Sequence, residues 1–361
     1  MGGITQNLTY PTQAFKIDLS ISWNASNPVI QRLPDGPSCA FSPSTLSSDG
    51  QSWFVVSNDT AYTYSIESAT WNQTLSFNST DDFTGSSAVT DPGTGLVFIT
   101  VPDGSAMWMV DFQSSSFDNI AIDMGIPAVS SAIWSTSQQE MLAFDGSPSA
   151  SILEYSPARN WSSSNMTGDI PAFRSEACFV PAANGSKAVY FGGIDQGQQV
   201  LGDIYVLDVV TMDWKRGPDV IMANRRAGAA CAVSNNYFIA WGGSIKNSTG
   251  DTVILYDLKS GVWTSNFDAA SAQNSTQHPS VTATTTATMA SPLSTLPTES
   301  PSGVAPDSSS PSPSSASTSE ILTALFKVTV VLLSISGTIF YRTRVKKAKD
   351  AKESKESPEQ P

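Results

Sequence analysis

Few side chains of this chain have a type and spacing that could carry out chemistry. The 361 residues include a single histidine, His278, so no set of histidines can hold zinc, and the only histidine for a Ser-His-Asp triad lies in a Ser/Thr/Pro-rich stretch. The adjacent carboxylates Asp81 and Asp82 could act as acid and base or bind calcium, but in the run NSTDDF they are typical of a solvated turn. The sequence therefore predicts no enzyme, no catalytic residue, no cofactor and no metal site.

Charge is unevenly distributed along the chain. Only 14% of the residues are charged, and the formal net charge is -13. Residues 1–320 carry a net charge of -17, whereas residues 321–361 carry +4. An acidic body repels phosphate backbones, so nucleic acid is not expected as a partner.

An aromatic residue recurs through the first 267 residues at gaps of 49, 53, 44, 46 and 48 residues. Such a period is typical of repeat architectures. Short apolar runs bounded by Gly, Pro, Asn and Ser accompany each copy and predict strands. Counted backward from the C-terminal copy, the markers are Trp263, Trp214, Trp161, Phe117, Trp71 and Trp23.

The two clearest copies of the pattern lie end to end between Lys187 and Phe267. In each, an apolar run ends in a glycine pair, and a second apolar run ends in tyrosine and aspartate before the tryptophan. The glycines allow positive φ and close approach to a neighbouring backbone, and the aromatic rings are expected to fill the space between stacked sheets. These positions are Gly192, Gly193, Tyr205, Asp208 and Trp214, then Gly242, Gly243, Tyr256, Asp257 and Trp263.

This combination resembles the kelch repeat, whose unit is a four-stranded blade of a β-propeller. The resemblance implies an all-β fold for residues 1–267, and the six markers imply six blades. The middle units are degenerate, since Ser57-Asn58, Val101-Pro102 and Asp145-Gly146 stand where the glycine pair should be. The fold resembles the central domain of galactose oxidase, but that copper-radical chemistry needs histidine ligands that this sequence lacks. A sialidase is disfavoured because the Asp-box-like run SSDGQSW has its glycine out of place.

Cysteines and arginines recur near the start of several repeats. Cys39, Cys178 and Cys231 occupy the same place in three repeats, which we interpret as small buried residues near a propeller axis rather than reactive thiols. Arg174 and Arg225-Arg226 precede two of these cysteines and resemble the arginine of the kelch pattern, which implies a structural role.

The first repeat is incomplete. The chain opens with Met1-Gly2-Gly3, and Gly3 lies 12 residues before Phe15, just as Gly193 lies 12 before Tyr205. An incomplete blade would leave an unpaired strand edge. We therefore expect further residues upstream in the natural protein, including a secretory signal peptide.

Sequons for N-glycosylation favour a secreted propeller. Ten Asn-x-Ser/Thr motifs occur, about twice the number that composition alone would give, although any single one can be an unmodified turn. The candidate asparagines are Asn7, Asn24, Asn58, Asn72, Asn78, Asn160, Asn165, Asn184, Asn247 and Asn274.

Three segments follow the repeats. Residues 268–320 are rich in Ser, Thr and Pro and predict a disordered stalk, either O-glycosylated or unmodified. Residues 321–341 are 21 residues with one charge, Lys327, which is the length of a transmembrane helix. Residues 342–361 are basic beside this run, as expected of a cytoplasmic tail.

Together these features predict a membrane-anchored kelch propeller, similar to the Ser/Thr-stalked kelch proteins of fungi. It would be a single-pass type I protein of the plasma membrane, with the propeller outside the cell and the C-terminus in the cytoplasm. We expect a non-enzymatic recognition module that binds a protein or glycan through loops on one face. One alternative is a stalked cell-wall sensor or structural protein that signals through its tail. Another is a tail-anchored protein with its propeller in the cytosol, and a galactose-oxidase-like enzyme is the least favoured.

Overall fold

The computed structural model is an all-β structure made of antiparallel sheets that follow one another along the chain. Five of the sheets contain four strands in chain order, each strand pairing with the next, which is the connectivity of propeller blades. The structure describes residues 12–39, 42–77, 83, 85–101, 106–122, 131–144, 146, 150–245, 248–249, 252–270 and 329–331.

The first three blades come from the degenerate repeats. Their second strands are buried almost throughout, as strands with apolar neighbours on both faces should be. Their fourth strands are mostly polar and exposed. The first blade has β4 (Ser44–Leu46), β5 (Ser52–Ser57), β6 (Thr60–Ser65) and β7 (Thr70–Ser76); the second has β8 (Ala88–Thr90), β9 (Val97–Thr100), β10 (Ala106–Asp111) and β11 (Ser116–Ala121); the third has β12 (Ala132–Ser135), β13 (Glu140–Ala143), β14 (Ser151–Ser156) and β15 (Asn160–Asn165).

The fourth and fifth blades come from the two clear repeats. A two-residue strand, β16 (Thr167–Gly168), pairs parallel with the outer edge of the fourth blade, and short 3-10 turns lie at Ala183–Gly185 and Met222–Asn224. The fourth blade has β17 (Cys178–Ala182), β18 (Lys187–Phe191), β19 (Ile204–Asp208) and β20 (Asp213–Arg216); the fifth has β21 (Ala230–Ser234), β22 (Tyr237–Trp241), β25 (Ile254–Asp257) and β26 (Val262–Thr264), with the hairpin β23 (Ser244–Ile245) and β24 (Ser248–Thr249) in the loop after β22.

A smaller sheet lies between the fifth blade and the first. Ile17 and Leu19 pack on the fifth blade, whereas Ala14 and Leu33 pack on the first. Its strands are β1 (Ala14–Asp18), β3 (Ile30–Leu33) and β28 (Thr329–Val331), with β1 in the centre, and nearby β2 (Trp23–Asn24) pairs with β27 (Asn266–Phe267).

The number of blades differs from the six that the aromatic markers predicted. The described residues form five four-stranded blades and this three-stranded sheet. Trp23, the marker of the first repeat, does not lie in the fourth strand of a blade. Its ring stacks on Phe267 at a centroid distance of 5.0 Å, and its strand pairs with β27 instead of β1. Packing against the end of the fifth blade therefore decides where this marker lies.

The C-terminal segments are described only in small part. Within the described residues, no helix has both the length and the apolar character needed to cross a membrane. Three residues of the predicted span, Thr329–Val331, form strand β28 on β1. For these three the structure has a strand where the sequence predicted a helix. The remainder of 321–341, the tail, and the stalk beyond residue 270 lie outside the described residues.

Apolar clusters fill the spaces between neighbouring blades. Between the third and fourth blades, for example, Phe144, Tyr190 and Trp214 are each at most 2% exposed and lie within contact distance of one another. Each blade therefore buries one sheet face against each neighbour, and the loops at the two ends remain available for other contacts.

Candidate interaction face

Two kinds of loop lie at the same end of each blade. Since the first and second strands are antiparallel, the loop entering the first strand meets the loop leaving the second. In the fourth and fifth blades these loops are residues 166–177, 192–203 and 217–229, together with the described part of the loop after β22, which is residues 242–245, 248–249 and 252–253. We call this end of the two blades the loop face.

The predicted glycine pairs lie on the loop face with positive φ. Gly192 and Gly193 have φ of 65° and 94°, and Gly242 and Gly243 have 70° and 79°. A Cβ atom on Gly193 would come within 2.7 Å of the Ser175 carbonyl oxygen. The pattern's glycines are therefore required both by the left-handed backbone and by close approach of the neighbouring loop.

A buried charged network ties the loops of the fourth blade together. Arg174 is 2% exposed and forms an ion pair with Asp203, and it also donates to the carbonyl oxygens of Ala172 and Gly192. The Tyr205 hydroxyl donates to the other Asp203 oxygen at 3.1 Å, and burial together with the Asp203 charge raises the pKa of Tyr205. Because every charge in the network has partners, its role is structural.

Arg226 has the corresponding position in the fifth blade. Its guanidinium donates to the carbonyl oxygens of Ala223 and Arg225 and, at 2.9 Å, to the Thr252 hydroxyl. The Arg226 carbonyl in turn accepts the Gly193 amide at 2.8 Å. Arg226 therefore ties the loop between the fourth and fifth blades to both of them.

The two predicted tyrosines are not equivalent in the structure. Tyr256 lies opposite Trp263 on the adjacent strand, with ring centroids 5.0 Å apart, and Tyr64–Trp71 and Tyr155–Trp161 repeat this pairing. In the fourth blade Leu207 lies opposite Trp214, so Tyr205 is two residues earlier and joins the Asp203 network. Trp214 is 1% exposed, whereas three markers are partly exposed: Trp71, Trp161 and Trp263.

The predicted aspartates close turns at the opposite end of the blades. The Asp208 carboxylate accepts the backbone amides of Val210 and Thr211, and Asp257 accepts the amide of Lys259 and the hydroxyl of Ser260. These bonds lower the pKa of Asp208. Aspartate at the end of the third strand is therefore a turn residue.

Two of the cysteines form a disulfide, which differs from the sequence interpretation. Cys178 and Cys231 are bonded across the fourth and fifth blades, with Cα atoms 5.9 Å apart, whereas Cys39 is a free buried thiol whose pKa is raised by burial. In the first strand of the fourth blade, Cys178 pairs with Phe191, the residue just before the glycine pair. In the first strand of the fifth blade, the residue at the equivalent position is Ala230. Cys231 is one residue further on. Because side chains alternate along a strand, this offset turns its sulfur toward Cys178.

The side chain of one glutamate on the loop face has no polar partner among the described residues. The Oε2 atom of Glu176 is buried without a hydrogen bond, and burial raises the Glu176 pKa to about 7. Its backbone has φ of 56°, a left-handed value, while its carbonyl oxygen accepts the Gly228 amide at 2.8 Å. Gly228 and Gly85, which precede the first strands of the fifth and second blades, also have positive φ. Glu176 thus stands where those units have glycine.

Exposed apolar side chains occur at both ends of the fourth and fifth blades. Ile221 and Met222 in the loop 217–229 are 68% and 74% exposed. Val210 and Val262 at the opposite end are 63% and 51% exposed. The two adjacent side chains on the loop face form the larger apolar surface of a kind that binds partners.

The described sequon asparagines all lie on the surface. Six of the ten candidates, Asn24, Asn58, Asn72, Asn160, Asn165 and Asn184, are exposed, and the other four, Asn7, Asn78, Asn247 and Asn274, lie outside the described residues. His278, Asp81 and Asp82 also lie outside them. Among the described residues no group of His, Cys, Asp or Glu side chains could hold a metal ion.

The fold defines a β-propeller, and comparison with known families gives its class. Residues 147–291 match the family model described as the KLHDC2/KLHL20/DRC7 Kelch-repeats domain. This part of the chain is therefore similar to a kelch-repeat domain, and the described residues form a β-propeller, as the glycine, tyrosine and tryptophan spacing predicted. A search of curated proteins found no match to the chain.

Sequence reasoning missed the disulfide, Asp203 and Glu176. The disulfide had a usable signal, because cysteines one residue apart in consecutive first strands face each other between blades. Glu176 also had one, since it replaces the glycine of a neighbouring repeat. Asp203 had none, because its importance depends on the buried Arg174 that the fold brings beside it.

Proposed function

We propose that this kelch propeller is a non-enzymatic interaction module that binds a protein partner through the loop face. Kelch propellers are a scaffold of this kind, and binding residues are often carried on loops held by a rigid framework. The observation that carries the proposal is the exposed Ile221-Met222 pair on a loop fixed by buried arginine contacts. A surface that is apolar and yet held in place loses little entropy on binding. A glycan ligand is the second possibility that the same loops would serve.

The experiment compares the two ends of the same blades. Full-length protein carrying Ile221→Ser with Met222→Ser, and a control carrying Val210→Ser with Val262→Ser, would be expressed in native cells and crosslinked. Proteins recovered with wild type and with the control, but lost with the loop-face variant, are expected. Equal recovery from all three would overturn the proposal.

We propose that the propeller lies outside the cytosol. A disulfide between Cys178 and Cys231 persists in oxidising compartments and is rare in the cytosol. The six described sequon asparagines are accessible to a glycosyltransferase. Gel mobility of the native protein before and after N-glycan removal tests this placement. A downward shift is expected, and an unchanged mobility would favour a cytosolic propeller.

We further propose a single-pass anchor at residues 321–341, joined to the propeller by the stalk 268–320, with the tail 342–361 in the cytoplasm and the protein at the plasma membrane. The support is the sequence of these segments. The pairing of Thr329–Val331 with β1 is incompatible with a span, so the two arrangements can be distinguished. Carbonate extraction should leave the protein in the membrane pellet. Release into the supernatant would favour the strand arrangement.

A further inference from the structure

We propose that the loop face binds a basic side chain, lysine or arginine, of a protein partner, and that Glu176 is the group that receives it. This inference rests on the proposed interaction function and names the chemistry of the partner.

The first step is that the Glu176 side chain makes no polar contact within the described part of the chain. Its Oε2 atom is buried, yet it accepts no hydrogen bond, and no ion pair involves its carboxyl group. The residue is nevertheless partly accessible. A carboxylate held out of water without a partner is costly, whereas one that a partner's cation can reach gains a strong charge-assisted bond on binding.

The second step is that the backbone at Glu176 does not favour glutamate. Its left-handed conformation is the one that Gly228 and Gly85 have before other first strands, and non-glycine residues disfavour it. Neither side-chain contacts nor backbone conformation therefore accounts for an acid at this position. A ligand would account for both features.

The third step is the setting of the carboxyl group. The Glu176 carbonyl bonds to Gly228, which belongs to the same loop as the exposed Ile221 and Met222. Arg225 in that loop has a buried Nε atom without a partner, and it forms no ion pair with Glu176. An acceptor, a donor and an apolar surface thus lie on one face. A peptide segment can match all three with a basic side chain, a backbone carbonyl and an apolar neighbour.

The test is a double-mutant cycle on the full-length chain. Random linear peptides displayed on phage would be selected on the purified protein, and the enriched peptides synthesised with their basic residue replaced by norleucine. Glu176→Gln is expected to weaken the parent peptide by about 10–100-fold, the range of a charged hydrogen bond. It should barely affect the norleucine peptide. Glu67→Gln, an exposed acid in the turn between β6 and β7, is the matched control and should change neither.

Each of the following outcomes would overturn the inference. Selected peptides without basic residues would do so, as would a Glu176→Gln effect that persists with norleucine. At pH 8 the thermal midpoint of Glu176→Gln is expected to lie about 2–4 °C above that of wild type. A midpoint below that of wild type would show that Glu176 stabilises the fold and has a structural role. Peptides that need Ile221 and Met222 but not Glu176 would reject this inference and leave the proposed function standing. If peptide binding needed neither Glu176 nor the Ile221-Met222 pair, this inference and the proposed function would both be rejected.

Discussion

In the fourth and fifth blades, buried arginines, glycine pairs and a disulfide tie the loops together at the loop face. In the first three blades the corresponding contacts come from hydroxyl groups. The Ser87 amide donates to Thr100 Oγ1 at 3.0 Å, and the Ser87 hydroxyl accepts the Ala132 amide at 3.1 Å from the next blade. The same connection between blades is therefore made once with charged groups and once with neutral ones.

Aromatic packing also differs between the two regions. Between the first and second blades, Phe54 stacks on Phe112 with ring centroids 3.9 Å apart, and Phe77 contacts both Phe83 and Trp108. Phe54, Phe77, Phe83 and Phe112 are not at kelch motif positions. The comparison shows that a blade needs a filled space between sheets and bonded loops, and that the kelch motif is one way to provide them.

The variant with the largest expected effect removes the buried ion pair from the loops of the fourth blade. Arg174→Met should lower the free energy of unfolding by about 3–5 kcal/mol, because Asp203 is left buried without its ion pair. Thr100→Val, which removes the hydroxyl contact in the second blade, should cost only about 1–2 kcal/mol. Urea unfolding of both variants measures the difference. Equal losses would show that the two regions depend on their loop contacts to the same degree.

A second variant removes the covalent link between the fourth and fifth blades. Cys231→Ser should destabilise the protein by about 2–4 kcal/mol, since the disulfide closes a loop between residues 53 apart. Cys39→Ala is the control for losing a buried sulfur in the other region. Unfolding with and without reductant checks the assignment. Reductant should weaken wild type and Cys39→Ala but not Cys231→Ser, and a wild type that ignores reductant would contradict the bond.

The sequence predicted the regular region better than the degenerate one. Glycine pairs, marker tryptophans and turn aspartates in the fourth and fifth blades depend on local backbone conformation and on periodicity, so they can be found from the chain alone. Trp23 has the spacing of a blade marker and predicts the fourth strand of the first repeat, yet it stacks on Phe267 at the end of the fifth blade instead. Glu176 and Asp203 gain their properties from neighbours that only the fold brings together. The periodicity of the sequence does not predict such long-range packing.

A third variant tests whether the glycine pair itself matters. Gly193→Ala should cost about 1–2 kcal/mol from left-handed backbone strain, with an added clash because the new Cβ would lie 2.7 Å from the Ser175 carbonyl oxygen. The counterpart in the first blade is Asn58, which already has φ of 55°. Asn58→Gly should change stability by less than about 0.5 kcal/mol. Thermal unfolding of the two variants measures these changes in stability. A Gly193→Ala variant as stable as wild type would mean that the loop carrying Ser175 can move away from the new Cβ atom.

The smallest expected effect concerns Glu176, an acid on the loop face whose pKa is strongly raised. Burial lifts the Glu176 pKa from 4.5 to about 7, so the folded state holds a proton that the unfolded state has released between these values. Stability should therefore be highest below pH 4.5 for this group and should fall as the pH rises through 7. Partial exposure limits the loss to about 1 kcal/mol, or roughly 2–4 °C in thermal midpoint.

Glu176→Gln should remove that part of the pH dependence, so that wild type and variant have similar midpoints at pH 5 and the variant is more stable at pH 8. Glu140 is a useful control, because burial raises its pKa too but Arg159 pairs with it. Glu140→Gln should lose the ion pair and be less stable than wild type at pH 8. A Glu176→Gln midpoint that runs parallel to wild type from pH 5 to pH 8 would show that the carboxyl group is solvated, and the loop face would then lack the unpaired acid that sets it apart from the first three blades.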